Sequence, residues 1–263
     1  MPEILIAQEG AVRTLTLNRP AALNTCTSSM LVALREALAA AAMDEATRCV
    51  LITGAGRAFC AGQDLGDPLV APVEGEPAKN LGTMLSDFYN PMLLALRAMP
   101  VPVIAAVNGV AAGSGANLAL ACDLVLAAEG ASFIQAFTRI GLAPDSGGTW
   151  LLPRLVGRAR ALQLALLGDK LPAADAAAMG LIARCVPDAE LASQAMAMAQ
   201  RLAAMPTQAL VETRRAMDMS LDLSFEQALA AEAGLQSRLG YAADYNEGVT
   251  AFKAKRSPRF IDR

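Results

Sequence analysis

Histidine is absent from this sequence of 263 residues. Its absence excludes the Ser-His-Asp and Cys-His nucleophile systems, and it excludes the common zinc sites that use histidine ligands. Any general acid or base must therefore be an aspartate, glutamate, lysine, tyrosine or cysteine.

Cysteine pairs with metal-binding or redox spacing are also missing. The chain has five cysteines, an odd number, and no CxxC pair, which is typical of a reduced intracellular protein without a metal site. The longest apolar run, around residues 101–107, is far too short to span a bilayer. Glu3 and Glu9 stand where a signal peptide would be basic and apolar. We therefore expect a cytoplasmic protein that holds no metal.

Positive charge and aromatic residues are scarce as well. The formal net charge is -3 and aromatic residues make up 4% of the chain. Without an excess of lysine and arginine, a nucleic-acid binder that works by neutralising phosphates is disfavoured. The 54% hydrophobic content, mostly alanine and leucine, suits helices packed on a sheet and surfaces hidden in an oligomer.

The spacing of apolar residues predicts an α/β fold. Residues 3–8 and 11–17 alternate between faces and predict a β-hairpin, residues 30–43 have helical spacing, and residues 49–53 predict a short strand. Strand, helix and strand in that order indicate a parallel βαβ unit. From residue 172 onward the pattern is almost entirely helical.

The middle of the chain combines a loop with regular elements. Residues 66–82 are rich in proline and glycine and predict a loop that becomes ordered when a ligand binds. Residues 85–96 predict one helix, and residues 103–107 predict a buried strand that leads into a glycine-rich turn.

Two glycine-containing segments are candidates for ligand binding through the backbone. In residues 57–65, RAFCAGQDL, Gly62 permits an unusual turn that leaves neighbouring N–H groups free, although a plain exit from a strand has the same composition. In residues 108–118, NGVAAGSGANL, the GxGxxG spacing is missing. A helix that begins near Ser114 directs a free N–H outward, and such a donor can stabilise an oxyanion. The alternative is a turn that only permits tight packing.

A third segment, residues 141–150, carries a single carboxylate. Its sequence is GLAPDSGGTW, and Asp145 lies between a proline and a Ser-Gly-Gly run, just before a predicted helix. The residue types allow two roles: Asp145 is an acid/base residue, or it caps the helix.

In order and spacing, these segments resemble the enoyl-CoA hydratase/isomerase (crotonase) superfamily. The matching motifs are TLNRP at 16–20 with Leu23-Asn24, AFCAGQDL at 58–65, NGVAAGSGANLALACD at 108–123 and GLAPDSGGT at 141–149, and the likeness continues through FKAKRSP at 252–258. Four ordered motifs in a likeness that covers nearly the whole chain are a strong signal, whereas any one alone is weak.

The resemblance implies a spiral of repeated ββα units, residues 1–200, with a C-terminal helical region, residues 201–263, that packs in trimers or dimers of trimers. It also implies a coenzyme A thioester as substrate, no separate cofactor, and two backbone oxyanion donors at Gln63 and Ser114. The residues that the family places around its substrate correspond here to Ala61, Asp64, Leu65, Asn117, Phe137 and Lys253.

The departures from the family pattern bear on the reaction. Hydratases of the family use two glutamates, and the matching positions here hold Asn117 and Phe137. Neither side chain can move a proton to or from water at neutral pH, so two-glutamate hydration is disfavoured. Asp145 remains, where isomerases of the family keep one carboxylate, and one acid/base is what a double-bond shift requires. The sequence motifs look most like an isomerase branch that acts on aromatic-derived epoxides.

Other roles stay open on the sequence alone. Residual hydratase activity, another crotonase reaction on a CoA thioester, and a non-catalytic CoA-binding role are alternatives. Dehalogenation by Asp145 ranks low, because its usual scheme needs a histidine base. RNA binding ranks low because no lysine and arginine cluster is present.

Overall fold

The computed structural model describes all residues, 1–263, and contains two sheets surrounded by helices. The ten strands are β1 Ile4–Glu9, β2 Val12–Leu17, β3 Cys49–Gly54, β4 Ala58–Cys60, β5 Val103–Val107, β6 Val110–Ala112, β7 Leu124–Ala128, β8 Ser132–Ile134, β9 Leu171–Pro172 and β10 Arg184–Val186.

The ten α-helices surround these strands. They are α1 Ser28–Met43, α2 Leu81–Met84, α3 Asn90–Arg97, α4 Ser114–Leu120, α5 Gly148–Leu167, α6 Ala173–Ala178, α7 Leu191–Ala203, α8 Thr207–Ser220, α9 Phe225–Gly240 and α10 Ala243–Lys253. None of them is long and apolar enough to cross a membrane.

The strands divide between a main sheet and a small sheet in a repeating way. The main sheet has the order β1-β2-β3-β5-β7-β10, and the small sheet has the order β4-β6-β8-β9. The chain passes from β3 to β4, from β5 to β6 and from β7 to β8, and a helical segment follows each pair. This repeat of one long strand, one short strand and a helix confirms the predicted α/β spiral of ββα units.

The core lies between the main sheet and the helices on its faces. β3 and β5 are apolar along almost their whole length because both faces are covered, as is usual for the interior of a parallel sheet. Helix α7 packs across β2, β3, β5 and β7. Helix α1 begins at its cap Thr27, whose side chain accepts a hydrogen bond from the Met30 N–H, and it packs on α3.

Two predictions of regular structure were incomplete. Strands β4 and β6 were not predicted, because three residues are too few to show alternation. The helix predicted over 85–96 is divided: a π-helical turn covers Leu85–Tyr89 and α3 begins at Asn90. Pro91 explains part of this, since a proline near the start of a helix has no N–H to donate to the preceding turn.

The C-terminal third is almost entirely helical, as predicted, but strand β10, which pairs with β7 in the main sheet, was not predicted. Helices α8, α9 and α10 pack on one another in sequence, while α7 belongs to the covering of the main sheet. The division of the chain into residues 1–200 and 201–263 stays a prediction.

Candidate active site

One buried and one half-buried asparagine, Asn24 and Asn108, stabilise the turn by which the chain passes from the main sheet to the small sheet. The Asn24 side chain donates to the carbonyls of Ala55 (2.9 Å) and Ala58 (2.8 Å). The Asn108 amide group donates to Gly56 O (2.9 Å), and its Oδ1 accepts from the Gly54 N–H (3.1 Å). These bonds satisfy backbone groups that the β3–β4 turn would otherwise leave without partners, and they fix the direction of β4.

Parallel pairing of β4 with β6 brings the first two glycine-containing segments together. Ala58 pairs with Val110 and Cys60 with Ala111, so the chains leave the two strands side by side. Gly62 has a φ of 101°, and a Cβ there would lie 3.0 Å from Ala112 O. A residue with a side chain would strain the backbone and push the segments apart.

The N–H groups of Gln63 and Ser114 have no hydrogen-bond acceptor within the protein. The neighbouring Cys26 N–H donates to Gly62 O and the Asp64 N–H donates to Cys26 O, which leaves the Gln63 N–H unused. Ser114 is the first residue of α4, so its N–H has no partner inside the helix. Gly62 directly precedes Gln63, and a Cβ on Gly62 would lie 3.9 Å from Ser114 N. The two unused backbone donors are therefore close together.

Asp145 is half-buried in the loop before α5, and it does not cap that helix. The N-cap of α5 is Gly147, with no side-chain cap, so the capping alternative is wrong. Asp145 Oδ1 accepts a hydrogen bond from the Ser146 hydroxyl (2.8 Å), and Oδ2 has no partner in the protein. Burial raises the pKa of Asp145 and the Ser146 hydrogen bond partly opposes this, as expected for a carboxylate removed from water.

Asn117 ties the Asp145 loop to helix α4. Its Nδ2 donates to the backbone carbonyl of Asp145 (2.7 Å), and its Oδ1 accepts from Gln135 Nε2 (2.9 Å). Asn117 is fully buried, so both polar ends of its side chain are engaged inside the protein. Gln135 Oε1 is buried and has no partner. The position where family hydratases carry a glutamate is thus part of a structural connection here.

The Phe137 ring lies next to Gly113, the residue that precedes Ser114. The Phe137 ring is buried, and its Cζ lies 3.7 Å from where a Cβ on Gly113 would stand. The ring therefore forms an apolar wall beside the turn that precedes Ser114, which lowers the effective dielectric around groups in the site.

Asp64 is engaged in fixing its own loop. Arg19 donates to Asp64 Oδ2 (2.7 Å), and the Gly66 N–H donates to Oδ1 (2.9 Å). The Arg19 hydrogen bond is the main reason why the pKa of Asp64 is lowered.

The remaining predicted contact residues lie toward solvent. Ala61 is partly exposed and Leu65 is 63% exposed, on either side of Gln63. Lys253 is exposed at the end of α10, and no hydrogen bond or ion pair joins it to Gln63, Ser114 or Asp145.

Tyr89 belongs to the site and was not predicted. It is the last residue of the π-helical turn, and its buried hydroxyl donates to Gln63 Oε1 (2.8 Å) and is hydrogen-bonded to Ser114 Oγ (2.9 Å). Burial is the main cause of the raised pKa of Tyr89, and the charge of Asp145 adds a smaller effect in the same direction. The sequence signal was slight: a tyrosine directly before Asn90-Pro91.

The structure has no group of three or more cysteine, aspartate and glutamate side chains arranged to hold a metal ion. What the site offers instead is two free N–H donors, a half-buried carboxylate with one free oxygen, and an apolar wall. Such an arrangement suits a reaction in which a carbonyl oxygen gains negative charge while a nearby carbon loses a proton.

Comparison with known proteins identifies the class. The enoyl-CoA hydratase/isomerase family matches residues 7–263, so the chain belongs to that family, and the resemblance found in the sequence is confirmed. It is an enzyme of a family whose members act on acyl-CoA thioesters.

Individual relatives carry different activity names. The chain is 49% identical over 263 residues, all of both chains, to the 1,2-epoxyphenylacetyl-CoA isomerase of Escherichia coli (strain K12). It is also 49% identical over 249 residues, 95% of this chain and 94% of the relative, to a protein of Rhodobacter capsulatus described as a probable enoyl-CoA hydratase. The crystal structure of an enoyl-CoA hydratase from Bacillus anthracis superposes with a TM-score of 0.92 at 31% identity and covers 100% of both chains.

Proposed function

We propose that the protein is an acyl-CoA isomerase in which Asp145 is the single acid/base residue. In this proposal the Gln63 and Ser114 N–H groups bind the thioester carbonyl oxygen. Phe137 forms part of the apolar wall of the acyl site, and Ala61 and Leu65 border the coenzyme A portion.

The hydrogen bond from Asn117 to the Asp145 carbonyl is the observation that supports this proposal best. Asn117 lies three residues after Ser114 on helix α4, so one short rigid element carries a free N–H at its start and the anchor of the carboxylate loop one turn later. Helix α4 thereby fixes the Asp145 loop relative to the Ser114 N–H. Proton transfer next to a polarised carbonyl requires such a fixed geometry. We assign Asn117 to positioning Asp145 rather than to contact with substrate.

The chemistry needs only one proton to move. The Asp145 carboxylate removes a proton from the α carbon of the acyl chain, or from the γ carbon where a double bond links it to the carbonyl, and the electron pair of the broken C–H bond passes to the thioester oxygen as an enolate. The two N–H groups stabilise that oxygen, and loss of one such donor typically costs about 3 kcal/mol of barrier. Protonated Asp145 then returns the proton to another carbon, so no atom is gained or lost. The raised pKa of Asp145 suits both steps, because the residue accepts a proton as a base and then returns it as an acid.

The full-length likeness to the E. coli isomerase supports a finer proposal about substrate. We infer that the chain converts 1,2-epoxyphenylacetyl-CoA to the corresponding oxepin thioester, shifts a Δ3 double bond to Δ2 in enoyl thioesters, or does both. Lys253 is the candidate for contact with the coenzyme A phosphates, and Asp64 acts through the Arg19 ion pair that fixes the loop beside Gln63.

We also propose that the chain works as a homotrimer or a dimer of trimers. Helix α9 has no buried residue in the single chain, although its sequence includes Phe225, Leu229 and Leu235. A second copy of the chain would cover such a surface.

Substitution of Asp145 by Asn tests the assignment. With a Δ3-enoyl-CoA, the wild type is expected to produce the conjugated Δ2 thioester, followed by its ultraviolet absorbance. Asp145→Asn keeps size and polarity but cannot accept the proton, so we expect a loss of turnover of at least about 100-fold with thioester affinity close to unchanged.

Asp175→Asn is the matched control, because Asp175 is exposed on α6 and makes no ion pair; it should retain wild-type turnover. Retention of turnover within a few-fold by Asp145→Asn would refute the proposal. Formation of a hydroxyacyl thioester from a Δ2-enoyl-CoA as the main reaction would favour a hydratase instead, and binding without any turnover of several thioesters would favour a non-catalytic role.

A further inference from the structure

The side chains of the two residues that supply the free N–H groups are joined by one buried hydroxyl. Gln63 and Ser114 are 51 positions apart in the chain, and Tyr89 lies between them in sequence on a different element. Its hydroxyl contacts Gln63 Oε1 at 2.8 Å and Ser114 Oγ at 2.9 Å. Tyr89 is 3% exposed, so water does not compete for these bonds.

The direction of each hydrogen bond follows from the available donors. Gln63 Nε2 donates to the carbonyl of Asp64 (3.1 Å), which leaves Gln63 Oε1 facing Tyr89 as an acceptor. The only proton on the tyrosine hydroxyl must therefore go to Gln63, and the Ser114 hydroxyl must donate to the tyrosine oxygen. The result is a short chain of bonds from Ser114 through Tyr89 to Gln63, with every proton assigned.

We infer that Tyr89 is a positioning residue of the proposed oxyanion hole: its hydroxyl links Gln63 to Ser114 and sets the separation of their two N–H groups. This inference rests on the proposed function, because it assumes that those N–H groups bind the thioester oxygen. Tyr89 does not need to touch the substrate in order to act.

The π-helical turn explains how Tyr89 reaches this place. Widening the turn over Leu85–Tyr89 changes the register of the side chains that follow relative to an α-helix, and such insertions are frequent at functional sites. The pairing of β4 with β6 ends at Cys60 and Ala111, so Gln63 and Ser114 lie beyond the last paired residues. The Tyr89 hydroxyl therefore joins the two segments at a place where pairing between β4 and β6 does not. Because burial raises the pKa of Tyr89, its hydroxyl keeps its proton at neutral pH.

Tyr89→Phe removes the hydroxyl and keeps the ring. We expect kcat to fall about 10- to 100-fold, because a small misplacement of donors relative to a developing oxyanion reduces the rate steeply. The KM should change less than threefold, since the N–H groups are still present. Tyr241→Phe is the matched control: Tyr241 is 89% exposed, and its substitution should leave kcat unchanged.

A spectroscopic measurement separates positioning from a general structural effect. In the Asp145→Asn protein, which should bind without turning over, a conjugated enoyl-CoA thioester is expected to show a red-shifted absorbance, because the oxyanion donors polarise its carbonyl. Adding Tyr89→Phe should reduce that red shift at saturating ligand. Ser114→Ala, which keeps the backbone N–H and loses the hydroxyl, should reduce it in the same direction, and the two changes together should cost less than the sum of their separate effects.

The outcomes are distinct. If the Asp145→Asn protein binds the thioester with no red shift, the oxyanion hole itself is refuted and the role of Tyr89 is refuted with it. If the red shift is present and Tyr89→Phe leaves both the shift and kcat unchanged, the inference about Tyr89 alone is wrong. If Tyr89→Phe does not fold, as judged by circular dichroism, Ser114→Ala decides: an unchanged red shift and kcat refute the inference.

Discussion

Ser146 is the only side chain that hydrogen-bonds the Asp145 carboxylate, and it does so from an unusual backbone conformation. Its φ is 49°, its side chain is almost fully buried, and its hydroxyl donates to Asp145 Oδ1. A residue other than glycine in the left-handed region costs energy. This conformation places the Ser146 hydroxyl against the Asp145 carboxylate, so Ser146 is the side chain best placed to set the pKa of Asp145.

Ser146→Ala should therefore move the acid limb of the pH profile. The hydrogen bond favours the charged carboxylate, so its loss should raise the pKa of Asp145 further. A base works only when ionised; activity is present above that pKa and lost as the pH falls through it. We expect the low-pH limb of kcat/KM to shift to higher pH in the variant, measured with a Δ3-enoyl-CoA.

The control for this change is Ser193→Ala, since Ser193 is exposed and its hydroxyl bonds only to the backbone carbonyl of Glu190. Its profile should superpose on that of the wild type. A limb that stays in place in Ser146→Ala, or moves to lower pH, would contradict the assignment of Asp145 as the base.

At the residue scale, the sequence predicted some site residues and not others, for a physical reason. Gln63, Ser114 and Asp145 each lie in a motif whose glycines and local order are visible along the chain. Tyr89 has no such motif, because its role arises from contacts with residues 25 and 26 positions away. A hydroxyl that bridges two separate segments becomes visible only when the fold brings them together.

At the scale of elements, long periodic segments were predicted well and short ones were not. Helix α1 and strands β3 and β5 agree with the predicted bounds within about two residues, since their burial is regular. Strands β4 and β6 depend on pairing with each other rather than on their own pattern. These two strands of the small sheet, which lead into the segments of both oxyanion candidates, could therefore not be predicted from the pattern of apolar residues.

Helix α5 contains a break that can be tested by one substitution. The chain is helical over Gly148–Leu167 except at Gly157, whose φ of 74° and ψ of 159° lie in a region that is essentially restricted to glycine. No atom lies within 4 Å of a Cβ built there, so the expected cost of Gly157→Ala comes from the backbone alone, about 1–3 kcal/mol of unfolding free energy. Denaturant unfolding followed by circular dichroism measures it.

A glycine-to-alanine substitution in helix α9 should change the free energy of unfolding in the opposite direction. Gly234 lies inside α9 with ordinary helical geometry, and a Cβ there would meet nothing closer than 4.0 Å. Gly234→Ala should therefore stabilise the protein by about 0.5–1 kcal/mol. If Gly157→Ala stabilises the protein, the backbone conformation assigned to Gly157 is wrong, and if Gly234→Ala destabilises it, the prediction for α9 is wrong.

At the scale of the whole molecule, the α/β class and the repeated ββα units were predicted because the resemblance covers nearly the whole chain. A single chain does not bury the apolar surface of its C-terminal helices. Helices α8 and α9 enclose a cleft of about 300 Å³ that is lined in part by Met217, Leu223 and Leu235. Phe225 at the start of α9 is 80% exposed, which is unusual for so large an apolar side chain on a stable surface.

We therefore expect light scattering to give three or six times the chain mass of 27.3 kDa. Phe225 and Leu229 lie four residues apart on α9 and so share a face, and glutamate at both positions would place two charges in a buried contact. The Phe225→Glu/Leu229→Glu variant should shift toward the monomer mass as the protein is diluted. Met43→Glu is the control, because Met43 is equally exposed at the end of α1, outside the C-terminal helices. A wild-type protein that remains a monomer at all concentrations would refute the oligomer. An unchanged mass in the double variant would show that the contact between chains does not lie on this face of α9.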